Sequence, residues 1–118
     1  MNNTSGEYLL AFDINADGSV KNKRNFAKYP NVTKAPTGGV VSGADGLAID
    51  SQGRVYVVSN GGVHVFTTKG ELLGTIPVSL QPQNIAFAGA DKKTLYIVGR
   101  GSAFKVRLLT EGFKGRAK

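Results

Sequence analysis

The sequence predicts an all-β chain. Its apolar runs are short, rich in Val, Ile, Tyr and Phe, and bounded by Gly, Asn, Asp and Pro. No window carries the three-to-four-residue apolar period of a surface helix. Most runs follow the previous one by only a few turn-forming residues, which favours antiparallel hairpins over crossover helices.

In chain order, the first run, 8–14 (YLLAFDI), ends in the turn NADGS. The second is 25–29, and the stretch from Ala27 to Ser42, with Pro30, Pro36, Gly38 and Gly39, reads as a long loop. Runs 46–49 and 55–59 are joined by DSQG, in which Asp50 is a turn residue. Run 63–67 follows SNGG, and run 72–78 follows TTKG. Runs 84–87 and 95–98 flank GADKK, and run 103–109 closes the pattern.

The runs repeat. Leu47-Ala48-Ile49 falls on Ile85-Ala86-Phe87 at an offset of 38, and VYVV (55–58) falls on LYIV (95–98) at an offset of 40. GGVHVF (61–66) falls on GSAFKV (101–106) at that same offset, and LLAFDINADGSV resembles VHVFTTKGEL. One unit is therefore four short strands, the spacing of a β-propeller blade. The chain holds the last half of one unit, one whole unit and about three strands of another, or two to two and a half blades of a partial propeller. A small sandwich or open barrel is the competing architecture. Blades bury their faces against neighbours, so this few leave open faces and edge strands, which self-association would cover.

The totals exclude several functions. Cysteine is absent among the 118 residues, which removes disulfides, thiolate metal sites and cysteine nucleophiles. No apolar run approaches a membrane span, and the polar start MNNTSGE lacks a signal peptide's apolar stretch, so a cytoplasmic protein is expected. The net charge is +7, but Lys21, Lys23, Arg24, Lys28 and Lys34 are spread over one irregular region, and Arg107, Lys114, Arg116 and Lys118 lie near the C-terminus. Neither group interleaves with aromatics, so solvated surface is preferred to a nucleic-acid partner.

Asp45, in GADGLAID, is the first candidate for chemistry. At the entrance of an inner strand a carboxylate points into a channel, where hard cations such as Ca²⁺ are held by several oxygens. The plainer reading is an Asp that caps its own turn beside Gly46. Gln83 and Asn84 occupy the matching repeat positions; their amides line the same channel or bond to backbone. His64, the one histidine, reads as a partly exposed residue on an outer strand, and with no Cys a zinc cluster is disfavoured. A Ser-His-Asp arrangement lacks its G-x-S-x-G elbow. NVT at Asn31 fits a glycosylation acceptor and reads as chance coincidence.

The ordered pieces DGLAID, GRVYV, GGVHVF, GELLGTIP, QPQNIAF and KTLYIV resemble the C-terminal blades of the gluconolactonase/regucalcin family, also called senescence-marker-protein/gluconolactonase-like proteins. The resemblance spans residues 8 to about 112. It implies a six-bladed propeller with one divalent metal, Ca²⁺ in preference to Zn²⁺, in the central channel, and hydrolysis of sugar lactones. Asp45 matches the Asp of the family's DG motif, a metal ligand and candidate general base. Family members are more than twice as long, and their other ligands precede anything in this chain, which implies an N-terminally truncated form. The expected organisation is a disordered 1–7, a single all-β domain over 8–110 and a basic tail over 111–118. Three functions follow: a lactone hydrolase whose copies assemble around Asp45, a catalytically inactive binding or scaffold module, and an anionic-surface binder.

Overall fold

A computed structural model describes residues 1–115. Eleven strands and no helix are found among them, so none contains a helix long and apolar enough to cross a membrane. They are β1 (Tyr8–Ile14), β2 (Val20–Lys28), β3 (Thr33–Lys34), β4 (Val40–Val41), β5 (Leu47–Ile49), β6 (Val55–Ser59), β7 (Gly62–Phe66), β8 (Leu72–Ile76), β9 (Asn84–Ala88), β10 (Thr94–Gly99) and β11 (Ser102–Arg107).

Three antiparallel sheets stand side by side. β5-β6-β7-β8 is a complete blade, β9-β10-β11 has three strands among the described residues, and β1-β2 supplies the third and fourth strands of a preceding unit. The repeat is conserved in hydrogen-bond register as well as in residue type. Leu47 pairs with Val57, and their counterparts Ile85 and Ile97 pair in the same way.

The complete blade is buried on both faces, which explains why VYVVS reads as an unbroken apolar run. Val57 and Phe66 face the first sheet, where they meet Leu9, Ala27, Tyr29 and Ala44. Tyr56, Val58 and Val63 face the third, against Ile85, Leu95 and Ile97. Tyr56 meets Phe87 edge-on at 5.2 Å between ring centroids. The outer surfaces lack such cover: Leu72 and Leu73 on β8, and Tyr96 and Val98 on β10, are exposed.

One turn recurs four times. In Asn15–Ser19, Ala35–Gly39, Asp50–Arg54 and Thr67–Glu71 the first N–H donates to the fifth carbonyl, and the fourth N–H returns to the first carbonyl. The fourth residue is always glycine, at φ of +85°, +88°, +78° and +84° in chain order, a region that a side chain resists.

Two expectations change. β2 starts five residues before the predicted 25–29, because its first half is an edge strand with every side chain exposed, and no apolar alternation marks it. The long loop contains the small hairpin β3–β4. Residues 1–7 turn back along the first sheet: Met1 and Leu10 exchange backbone hydrogen bonds, and Tyr29 N–H donates to the Glu7 carbonyl. Of the expected basic tail, 111–113 is bonded to the domain, with Phe113 N–H on the Ile49 carbonyl and Gly112 N–H on that of Lys92. Arg116 and Lys118 lie outside the described residues.

Candidate functional site

Asp45 stands where the chain enters the innermost strand of the complete blade. Its N–H donates to the Val58 carbonyl at 3.1 Å, while Val58 N–H returns to the Gly46 carbonyl at 3.0 Å. Two residues thus oppose one, a bulge that re-aims the side chain at the strand mouth. Ala44 before it is buried and Asp45 itself is exposed. Among the described residues its carboxylate accepts no hydrogen bond and has no ion-pair partner. The turn-capping alternative therefore does not describe this aspartate.

It does describe Asp50, which is fully buried. Oδ1 accepts the N–H groups of Gln52 and Arg54 at 2.9 and 3.0 Å, and Oδ2 accepts Arg54 Nε at 2.6 Å and the Tyr56 hydroxyl at 3.3 Å. Burial, then the Asp50 charge, push the Tyr56 phenol above its ordinary value.

Gln83 and Asn84 adjoin Gly46, next to Asp45. The Gln83 carbonyl accepts Gly46 N–H at 2.8 Å, and a Cβ on Gly46 would come within 2.2 Å of Asn84 Oδ1 and 2.7 Å of Asn84 Cα. Only glycine lets the two inner strands approach this closely. Both amides also bond to backbone: Gln83 Oε1 accepts Arg100 N–H, and Asn84 Oδ1 accepts Ile85 N–H. Asn2 completes the rim. Its amide donates to the Asp45 carbonyl, and its Oδ1 accepts the Tyr29 hydroxyl.

A hard divalent cation takes about six to eight oxygen ligands. Asp45 supplies one carboxylate, and the Gln83 and Asn84 side-chain oxygens already accept N–H groups. Among the described residues no three of His, Asp or Glu converge. The described residues therefore do not by themselves fit a complete metal site. They offer a free carboxylate in a ring of amides, a surface that can orient a water or accept hydrogen bonds from hydroxyl groups.

His64 differs from expectation. It is fully buried, between the complete blade and the first sheet. Nε2–H donates to the Asn60 carbonyl at 3.0 Å, and Nδ1 faces the Thr75 hydroxyl at 2.8 Å. The carbonyl can only accept, so the proton sits on Nε2 and Thr75 donates to Nδ1. Alternation placed His64 opposite Val63 and Val65 but gave no sign that this second face is covered. The repeat offers a signal, since Phe104 stands at the equivalent position, and the turn changes with it. Arg100 at the β10–β11 turn has φ +53°, whereas its counterpart Asn60, whose carbonyl His64 holds, is not at positive φ.

Burial lowers the His64 pKa below its ordinary 6.5, only partly offset by the Asn60 carbonyl. The unfolded chain then binds the proton more readily than the folded one. The associated stability is complete above about pH 6.5 and is lost as pH falls from there toward the lower folded value. The aspartates with lowered values titrate in a more acidic window; Arg107 and the Lys93 N–H hold Asp91 at about 2. The urea midpoint is therefore expected to fall more from pH 7.5 to pH 5.5 in the parent chain than in His64→Gln, where the Met1 amino group, which burial also holds below its ordinary 8.0, leaves a residual slope. Equal slopes in the two proteins would refute this origin.

Comparisons with known proteins bear on the fold and the family. The model of the SMP-30/Gluconolactonase/LRE-like region matches residues 1–100. The chain is 32% identical over 112 residues to lactonohydrolase oryH of Aspergillus oryzae, covering 94% of this chain and 22% of that protein. It is 35% identical over 69 residues to the gluconolactonase of Zymomonas mobilis, covering 58% of this chain and 19% of that one. The solved gluconolactonase of Xanthomonas campestris superposes with a TM-score of 0.68 at 31% identity, over 86% of this chain and 30% of its own. The chain thus spans between a fifth and a third of these relatives, and its sheets are blades of their propeller. The chain belongs to the SMP-30/gluconolactonase/LRE-like family.

Proposed function

We propose that this chain contributes one carboxylate, Asp45, to a site that hydrolyses the cyclic ester of a sugar lactone. A single observation carries the reading: in a chain of the lactonase family, Asp45 is an exposed carboxylate, at the mouth of the innermost strand, with no side-chain hydrogen bond or ion pair among the described residues. A carboxylate in that position can take the proton of a water attacking the lactone carbonyl, while neighbouring amides meet the sugar hydroxyls. A divalent cation at Asp45 would need its remaining ligands from outside the described residues. The uncovered faces of β8 and β10 lead us to propose that copies self-associate through them.

The experiment is hydrolysis of glucono-δ-lactone followed by pH-stat, with and without added Ca²⁺ or chelator, on material whose mass in solution is measured by light scattering. Cation-dependent hydrolysis by an assembly is the expected result. A strict monomer without hydrolysis at any cation concentration would establish the second reading, a non-catalytic blade module. That reading is favoured by the presence of one free carboxylate where a metal needs several donors.

A further inference from the structure

Asn60–Gly61 is the one Asn-Gly pair in the sequence, and it forms the turn between β6 and β7. Gly61 is exposed, at φ +92°, and its N–H donates to no protein acceptor among the described residues. The Asn60 side chain, by contrast, is clamped. Nδ2 donates to the carbonyls of Asn31 and Val41, both at 3.0 Å. In return Asn31 Nδ2 donates to the Asn60 carbonyl at 3.1 Å, and Asn60 N–H donates to the Ser42 carbonyl at 2.8 Å. These bonds pin the connection containing β3 and β4 onto the complete blade.

We infer that Asn60 is a guarded self-modification site whose conversion releases the connection leading to Asp45. In the reaction the Gly61 backbone nitrogen, giving up its proton, bonds to Asn60 Cγ. The Cγ–Nδ2 bond breaks, and the nitrogen leaves as ammonia. Water then opens either carbonyl of the resulting five-membered imide, giving an aspartyl or an isoaspartyl linkage. The net change is one water consumed and one ammonia released, with no oxidant or other reactant.

The attack requires the side chain to swing onto the Gly61 nitrogen, and two hydrogen bonds on Nδ2 oppose that swing. The guard opens only when the 31–42 segment lifts. Once conversion has occurred, the segment cannot reseat. A carboxylate has no proton for the Asn31 and Val41 carbonyls, and it places negative charge against two carbonyl oxygens. Asn60 Oδ1 also sits within 2.2 Å of where a Cβ on Gly43 would lie, so the change is felt two residues before Asp45.

The intact protein is aged in mildly alkaline buffer below its unfolding midpoint, and peptide mass mapping separates the unmodified, aspartyl and isoaspartyl forms of position 60. Conversion should concentrate there among the asparagines and run slower than in urea-unfolded protein. Asn31→Ala leaves both carbonyls on Asn60 Nδ2 in place but removes the Asn31 amide from the Asn60 carbonyl, a bond that holds the 31–42 segment down, and so should speed the lifting of that segment and conversion about fivefold. Sub-denaturing urea should leave the rate nearly unchanged, because the opening is local. Equal rates in Asn31→Ala and the parent, equal rates folded and unfolded, or a steep urea dependence would each overturn the inference. Asn60→Asp should lose hydrogen-exchange protection over 31–44; retained protection would overturn the proposed release.

Discussion

If the chain hydrolyses lactones as proposed, Asp45→Ala is expected to reduce the rate by about a hundredfold or more, the loss typical of removing a positioned general base. The unfolding midpoint should not move. The Asp45 carboxylate makes no hydrogen bond or ion pair among the described residues, and its backbone contacts to Val58 survive the substitution. This separation makes the test sharp, because a rate loss cannot then be assigned to a damaged fold. Asp45→Asn keeps the size and the hydrogen-bond acceptor but removes the basicity, so it should lose nearly as much in kcat with less change in KM. A variant lacking the carboxylate that still turns over at the parent rate would end the assignment.

Asp50→Ala should have the opposite signature, with a large loss of stability and no direct role in chemistry. Its carboxylate serves two backbone N–H groups, a guanidinium and a phenol at once. Truncation leaves the buried donors of the turn without acceptors and breaks a buried ion pair. The Arg54 side chain is 30% exposed and can turn to water, which reduces the electrostatic part of the loss. A net loss of about 3 kcal/mol is expected. Asp50→Asn retains an acceptor oxygen for the two backbone N–H groups and should lose about half as much. Urea unfolding at neutral pH reads both. If Asp50→Ala unfolds at the parent midpoint, the turn is held by Gly53 and backbone bonds alone.

The two aspartates show how far the sequence carries. Both flank the same apolar strand within one eight-residue stretch, and both are compatible with a turn. Asp50 begins a five-residue turn with glycine in fourth place, a pattern repeated in the chain, and its capping role is legible locally. That Asp45 caps nothing could not be read locally, because the alternative depended on which backbone groups Val58 and Gln83 bring to its side. His64 makes the same point. Alternation on β7 assigned its face, whereas its burial came from the first sheet and its fixed tautomer from Asn60 and Thr75, eleven residues or fewer away but across a hairpin.

The sequence by itself determined the nine blade strands and the four-strand unit, since those follow from short-range apolar alternation, glycine turns and an internal repeat. It marked Gln83 and Asn84 as the repeat equivalents of Asp45 and Gly46. Only the tertiary structure decided which faces are covered, that β2 begins at Val20 and carries Lys21, Lys23 and Arg24, that residues 1–7 lie against the rim, and that the Asp45 carboxylate has no partner among the described residues. Those outcomes depend on contacts between sheets distant in sequence, and a polar residue facing another sheet reads the same in one dimension as one facing water.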